Sequence, residues 1–320
     1  MRLPSLVGAA ALAAAALAAP AHADVAVTRV TTTVDIRCSF TTLSQSADWF
    51  LPAGAPKGLV WVQHGFARAN DHVRDLAAKF AARGFVAFAP TLPTANLFGC
   101  TLQNIGDNTG FLGNVADLFG KAADPSDKLG RSFAKARSAA GRPELSLPTN
   151  LVFAGHSAGG EAVAYVANRV RTAYPAAWTG LRGVVLLDPV KSFIGSNTDT
   201  ALAGLDTIAL PVRTVSGPDG ICNNSGSGTD AVQAKLHRPF VGVRILGGAH
   251  TDAEGASTDA VGTLACGTPQ AANIAILQTL AVGWAVDDLT GTHTASYYPG
   301  GAYYSGQLSA GTIETLAGAS

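Results

Sequence analysis

The chain has 320 residues, of which 48% are hydrophobic and only 14% charged, so it is too apolar for a disordered protein. Its 22 basic and 22 acidic side chains give a formal net charge of +0, which disfavours binding to nucleic acid or to an anionic membrane surface. The 36 glycines and 16 prolines follow no G-X-Y period and no longer repeat, which excludes collagen and repeat arrays. One large domain or two small ones remain.

The N-terminus has the pattern of an export signal. Arg2 precedes an apolar stretch at 6–19, which is followed by the tripeptide Ala21-His22-Ala23. A charged start, a short apolar core and an A-x-A site are typical of a signal peptide, here residues 1–23, whereas a membrane-spanning helix needs about 20 apolar residues. No later segment is apolar enough for long enough to span a membrane. We therefore predict a secreted or periplasmic protein.

The four cysteines are an even number, and none of them has the C-x-x-C spacing of a metal or redox site. In an oxidising compartment this predicts two disulfides. Three pairings are possible, and we favour Cys38–Cys100 with Cys222–Cys266, because the second bond would join two loops that flank the region around His250. The sequence alone leaves the pairing open.

Predicted strands alternate with predicted helices along most of the chain. The first predicted strand alternates apolar with polar residues, as an antiparallel edge strand does, whereas the central ones are short apolar runs typical of parallel strands covered on both faces. The predicted strands lie at 25–36, 46–51, 58–63, 84–89, 150–154, 183–187, 211–215 and 241–246. The predicted helices lie at 71–83, 160–171 and 270–287. This order predicts an α/β fold with a doubly wound, mostly parallel sheet in one domain over residues 24–289.

Two segments have no clear place in this pattern. The insert at 92–147 carries leucines and phenylalanines that would either form an apolar cap above a site or pack in the core against the sheet, and the sequence favours neither. The tail at 290–320 has four tyrosines among glycines. It is too short for a domain and would pack on the body as a hairpin or form an exposed attachment patch.

The sharpest motif is Gly155-His156-Ser157-Ala158-Gly159, a G-x-S-x-G pattern. It directly follows a predicted strand and directly precedes a predicted helix, which is the context that this motif requires. A tight strand-to-helix turn tolerates only small neighbours and exposes the serine above the sheet. We therefore predict that Ser157 is a nucleophile.

A serine hydroxyl needs a base to accept its proton, and in this chain order the histidine comes from a late loop. His250 fits, because it follows the last predicted strand and precedes the last predicted helix. A carboxylate that orients the histidine should lie between the two in sequence. Asp188 and Asp219 both follow predicted strands in that interval, and their placement does not decide between them.

Two backbone N–H groups should stabilise the oxyanion that forms when a nucleophile attacks a carbonyl. One belongs to the residue after the serine, Ala158. The other comes from the loop after an early strand, where His64-Gly65-Phe66 makes Phe66 the expected donor. His64 is expected to brace this loop.

These blocks resemble the α/β-hydrolase superfamily over about 58–288, and within it chlorophyllases and their bacterial relatives, near platelet-activating-factor acetylhydrolases and cutinase-like polyesterases. The resembling blocks are His64-Gly65-Phe66 with Asn70, Ala82-Arg83-Gly84-Phe85 before Ala89-Pro90, Gly155-His156-Ser157 with Gly159-Gly160, Leu187-Asp188-Pro189-Val190, and His250 with Asp252. In that family the aspartate of the D-P-V block orients the histidine. The resemblance therefore favours Asp188 over Asp219.

The resemblance implies a secreted carboxylic ester hydrolase, which would be an esterase, a lipase or a polyesterase. Ser157, His250 and Asp188 would form the triad of an acyl-enzyme mechanism, with Phe66 and Ala158 at the oxyanion. No metal or organic cofactor is implied, and the expected partner of the monomer is a small-molecule or polymeric ester. Two alternatives stay open: an acyltransferase that uses the same triad, and a non-catalytic binding protein on the same scaffold.

Overall fold

The structure is a computed structural model, and it describes residues 23–320. The predicted signal peptide at 1–23 therefore lies outside the described residues, except for Ala23. Within the described part of the chain, no helix is both long enough and apolar enough to cross a membrane.

One nine-stranded sheet runs through the described residues. Its strands are β1 Val27–Cys38, β2 Thr41–Pro52, β3 Leu59–Gln63, β4 Val86–Pro90, β5 Leu151–His156, β6 Leu181–Leu187, β7 Val212–Ser216, β8 Gly242–Ile245 and β9 Ile313–Leu316. They lie in the order β1-β2-β4-β3-β5-β6-β7-β8-β9. The six strands from β4 to β8 in this order are parallel, whereas β1, β2 and β9 pair antiparallel with their neighbours. The predicted α/β class with a mostly parallel sheet is confirmed.

Helices cover both faces of this sheet. They are α1 Arg74–Ala82, α2 Thr109–Gly120, α3 Lys128–Ala139, α4 Ala158–Ala173, α5 Pro175–Trp178, α6 Asn197–Asp206, α7 Ser227–Lys235, α8 Ala260–Cys266, α9 Ala271–Thr290 and α10 Ala302–Ser309. Short 3₁₀ turns begin at Asn70, His250, Gly255 and Ala295.

Each face of the sheet has its own core, because neighbouring side chains of a strand point to opposite faces. In β3, Leu59 and Trp61 enter the core shared with α2, α3 and α4. Val60 and Val62 enter the core shared with α1 and α9. The apolar runs of the central strands are thus buried on both faces, which is why they do not alternate with polar residues.

The helices of the insert at 92–147 belong to the first of these cores. The ring centroid of Phe119 lies 4.8 Å from that of Trp61 and 4.6 Å from that of Phe153. Phe133 packs on Trp49, with their ring centroids 5.2 Å apart. Of the two roles expected for this segment, α2 and α3 therefore have the core role.

The four cysteines form two disulfides, Cys38–Cys100 and Cys222–Cys266, so the favoured pairing is present. The first bond joins the β1–β2 hairpin to the segment after β4, and the second joins the loop after β7 to the end of α8. Two disulfides fit a protein of an oxidising compartment.

The tail at 290–320 continues the domain rather than standing beside it. It contains α10 and β9, and β9 is the last strand of the sheet, paired antiparallel with β8, with Ile313 opposite Ile245. Tyr303 and Tyr304 are buried in the same core as α9. The tail thus packs on the body as a helix and an edge strand rather than as a hairpin, because the tyrosines cover apolar surface of α9.

Candidate active site

The carboxyl ends of the parallel strands bring the sequence-predicted residues to one edge of the sheet. Phe66 follows β3, Ser157 follows β5, Asp188 follows β6 and His250 follows β8. In open parallel sheets the loops that leave this edge meet above it, whatever their distance in sequence. The topology therefore explains why residues far apart in the chain share one site.

Ser157 occupies a strained turn between β5 and α4. Its φ of 57° and ψ of −126° lie in a region that residues other than glycine rarely adopt. The flanking glycines are needed, since a Cβ on Gly155 would lie 2.3 Å from the carbonyl oxygen of Gly159. A Cβ on Gly159 would lie 2.5 Å from the carbonyl oxygen of His64. The turn directs Ser157 out of the sheet, directly before the N-terminus of α4.

Gly65 brings the loop after β3 against Ser157. A Cβ at position 65 would lie 2.8 Å from Ser157 Cβ and 3.3 Å from Ser157 Oγ, which leaves no room for any other residue. Within residues 23–320, the N–H groups of Phe66 and Ala158 donate no hydrogen bond to other protein atoms. Two unpaired donors therefore flank the serine, in the places where the sequence predicted them.

His64 braces this loop from beneath. Its Nδ1–H donates to the carbonyl oxygen of Gly65 at 2.7 Å, and its Nε2 accepts from the N–H of Leu92 at 3.0 Å. Burial is the main reason why the pKa of His64 falls to about 4. The neutral ring has one donor and one acceptor, and both are used.

Asp188 is hydrogen-bonded to the His250 ring. His250 Nδ1 lies 2.6 Å from Asp188 Oδ2, and the Asp188 side chain is 5% exposed. Oδ1 also accepts from the backbone N–H of Gly217 at 3.0 Å. Burial raises the pKa of Asp188, but the hydrogen bonds and charge of His250, together with Gly217 and Asn223, outweigh burial and lower it. The carboxylate therefore stays ionised at neutral pH.

Asp219, the other candidate carboxylate, is turned away from the histidine. Its side chain is 57% exposed, and its Oδ1 lies 3.6 Å from Arg244 Nη2. In the described structure it makes no hydrogen bond to His250. Of the two aspartates that sequence position could not separate, the structure brings only Asp188 to the ring.

Ser157 and His250 line one cavity of about 320 Å³. Within the described residues, no direct hydrogen bond joins Ser157 Oγ to the His250 ring. Hydrogen bonds between a nucleophile and its base are often long in free enzymes and shorten when substrate binds. The two side chains thus face a common space with the second ring nitrogen of His250 available.

His156 holds the backbone of His250 rather than acting on the cavity. Its Nε2–H donates to the carbonyl oxygen of His250 at 2.9 Å, and the two ring centroids lie 4.6 Å apart. Burial, reinforced by repulsion from His250, keeps the pKa of His156 well below its usual range. Of these two histidines, only His250 has its ring hydrogen-bonded to a carboxylate, that of Asp188.

The cavity wall is mostly apolar. Phe66, Ile221 and Val261 contribute to it, together with the Cys222–Cys266 disulfide. No residue of the 92–147 insert lines this cavity, so of the two roles left open for the insert the described residues do not form the cap. The insert instead packs on the sheet, because its aromatic side chains meet Trp49, Trp61 and Phe153 there.

One ion pair closes the polar side of the cavity. Arg68 donates to both carboxylate oxygens of Glu254 at 2.7 and 2.6 Å and lies 3.0 Å from Asp259. The sequence analysis missed this pair, because the partners are 186 positions apart and no local pattern relates them. The sequence likewise gives Asn223 no role, since its partner Asp188 lies 35 positions away.

In the described residues, no group of three or more His, Cys, Asp or Glu side chains could hold a metal ion. No protein-family model matches the chain, and no curated protein matches it. The geometry of the site is therefore the basis for its chemistry.

The pKa of His64 makes stability depend on pH in a defined direction. The unfolded chain takes up a proton near the usual value of 6.5, whereas folded His64 does so only near 4. The contribution of neutral His64 to the free energy of unfolding is therefore fully present above pH 6.5 and is lost as the pH falls from 6.5 to about 4. We expect the difference in unfolding free energy between wild type and His64→Gln to shrink by about 3 kcal/mol from pH 7 to pH 4 in urea denaturation. A difference that stays constant with pH would contradict a neutral, bracing His64.

Proposed function

We propose that this chain is a secreted carboxylic ester hydrolase of the α/β-hydrolase superfamily, in which Ser157, His250 and Asp188 form the triad. One observation carries the proposal. The 2.6 Å bond from His250 to the buried carboxylate of Asp188 places an oriented imidazole in the same cavity as a serine on a strained turn. Acyl transfer through serine requires a nucleophilic serine, a histidine base beside it and a carboxylate that orients the histidine.

In the first step, Ser157 Oγ attacks the carbonyl carbon of the ester, and His250 Nε2 takes the hydroxyl proton. Asp188 keeps the proton on Nδ1 and stabilises the imidazolium that forms. Because its pKa is lowered, Asp188 is available as an anion throughout the neutral range.

The developing negative charge on the carbonyl oxygen would be held by the N–H groups of Phe66 and Ala158. The tetrahedral adduct then collapses, the C–O bond to the alcohol breaks, and the alcohol leaves with the proton from His250. Water attacks the acyl-enzyme in the same way, with His250 as the base. This second half releases the carboxylic acid and restores Ser157.

The surroundings of the cavity favour an uncharged, apolar ester. Arg68 is already paired with Glu254 and Asp259, so it is not free to bind a substrate carboxylate. Three of the apolar side chains that line the cavity are also exposed and form an apolar rim: Phe66, Ile221 and Val261. A cavity of about 320 Å³ is at the small end of ligand sites and suits a short acyl group. The exposed apolar rim supports esters of lipid or polymer type.

A series of p-nitrophenyl esters from acetyl to palmitoyl tests the proposed function. The wild-type protein should hydrolyse the butyrate with a kcat/KM about tenfold above that of the palmitate, because the cavity is small. Ser157→Ala should lower kcat at least about 10³-fold, since the nucleophile is lost. Activity that survives in Ser157→Ala would contradict the mechanism. Acyl transfer to added alcohols without hydrolysis would favour the acyltransferase instead.

Two aspartate variants test which carboxylate serves the triad. Asp188→Asn should lower kcat by about 10³ to 10⁴, because the amide carries no charge to stabilise the imidazolium and its NH₂ group can donate to Nδ1, which favours the wrong tautomer. Asp219→Asn removes a charge of the same kind from the exposed neighbour and should leave kcat within about twofold. Steady-state kinetics on the best ester of the series measures both. A larger loss in Asp219→Asn than in Asp188→Asn would refute the assignment.

A further inference from the structure

The Asn223 side chain contacts both oxygens of the Asp188 carboxylate. Its Nδ2 lies 3.2 Å from Asp188 Oδ1 and 3.3 Å from Oδ2, and it also donates to the carbonyl oxygen of Pro218 at 2.8 Å. Asn223 is only 2% exposed. Within the described residues, the other hydrogen-bond donors to this carboxylate are the Gly217 N–H and His250. Among residues 23–320, Asn223 thus provides the only side-chain donor to this carboxylate besides His250.

The amide of Asn223 is fixed in one orientation. Its Oδ1 accepts from the backbone N–H of Gly220 at 2.8 Å and of Gly226 at 3.0 Å. A flipped amide would turn Nδ2 toward these two N–H donors and Oδ1 toward a carboxylate and a carbonyl. Both contacts would be repulsive, so the loop itself aims the NH₂ group at Asp188.

We infer that Asn223 is a positioning residue, which holds the Asp188 carboxylate in the orientation that His250 requires and stabilises its ionised form. The inference rests on the proposed function, because positioning matters only if His250 acts as the base. A buried carboxylate needs hydrogen-bond donors that compensate its charge. When one donor is lost, the carboxylate binds the proton of the remaining donor more strongly. Without Asn223, Asp188 should therefore bind the His250 proton more strongly and in a less defined geometry.

The other charged or titratable groups around the pair are His156, Asp219, Asp252, Arg68 and Glu254. His156 is neutral, and Arg68 and Glu254 neutralise each other across the cavity. Asp252 accepts from the N–H groups of Ala249 and Gln270, whereas Asp219 pairs with Arg244. In the described structure none of them is hydrogen-bonded to the Asn223 side chain, so a shifted titration of His250 in the variants reports on the contact between Asn223 and Asp188.

Three variants separate positioning from loop structure. Asn223→Asp keeps an oxygen for the N–H groups of Gly220 and Gly226, but it loses the donor to Asp188 and to the Pro218 carbonyl oxygen and adds a carboxylate beside Asp188. Asn223→Ala loses both functions. Asn224→Asp is the matched control, because it adds the same charge one residue along. The Asn224 side chain makes no hydrogen bond to Asp188 in the described structure, and its φ of 50° is tolerated by aspartate.

The first readout is the titration of the His250 ring followed by proton NMR, with His250→Gln identifying its signals. Asn223→Asp and Asn223→Ala should raise the midpoint by about half a pH unit or more, and Asn224→Asp should not. The second readout is the pH profile of ester hydrolysis. Because a raised midpoint keeps His250 protonated to a higher pH, kcat of both Asn223 variants should be about threefold or more below that of wild type on the acid side of the midpoint. The deficit should shrink as the pH rises, with KM within about twofold.

Each outcome bears on the inference. A lowered melting temperature in both Asn223 variants with an unchanged His250 midpoint would mean that Asn223 only anchors the loop, and would overturn it. If Asn223→Ala fails to fold, Asn223→Asp alone decides, because it keeps the oxygen that accepts from Gly220 and Gly226. If the His250 midpoint shifts in the Asn223 variants but the wild-type protein hydrolyses no ester, the positioning role of Asn223 stands and the proposed function is refuted. The two failures are therefore distinguishable.

Discussion

The ionised carboxylate of Asp188 is the constraint on which the rest of the site depends. A charge that is almost wholly removed from water is tolerated only when donors surround it, and here His250, Gly217 and Asn223 supply them. These donors come from two separate loops, Gly217 and Asn223 from the loop after β7 and His250 from the loop after β8. Satisfying one buried charge therefore fixes the relative positions of the loops, and with them the orientation of the imidazole toward Ser157.

A second constraint is steric and lies on the other side of the serine. Gly65 and Gly159 allow the loop after β3 to approach the strained turn more closely than any side chain would permit. His64 supports that loop because burial keeps it neutral, so that its two ring nitrogens serve as one donor and one acceptor. The unpaired N–H groups of Phe66 and Ala158 are a consequence of this close approach. Packing and charge thus position different halves of the same site.

Much of the fold followed from local sequence patterns. The apolar runs of β3 to β6 and the glycines around Ser157 report directly on burial and backbone geometry, so the sheet class and the serine turn were predictable. The tail was not, because the tyrosines before β9 show no period until their partner α9 is known. The insert at 92–147 was ambiguous for a related reason. A phenylalanine such as Phe119 has the same sequence signal in a cap as in a core.

The site residues divide along the same line. Ser157, His250 and Phe66 could be proposed because each follows a recognisable strand. Asp188 could not be separated from Asp219 by position, since the choice depends on which side chain points to His250 across the loops. Asn223 and the Arg68–Glu254 pair had no sequence signal, because their partners lie in other loops. Contacts between loops are set by the tertiary fold and are invisible to local patterns.

If His250 activates Ser157 as a nucleophile, a fluorophosphonate should label Ser157, because this reagent forms a covalent bond with activated serines. Digestion of the labelled protein and mass spectrometry of its peptides test this most directly. We expect one adduct, on the peptide that contains Ser157, in wild type and no adduct in His250→Gln over the same time. Equal labelling of Ser157 in His250→Gln, or no labelling of the folded wild-type protein, would contradict it.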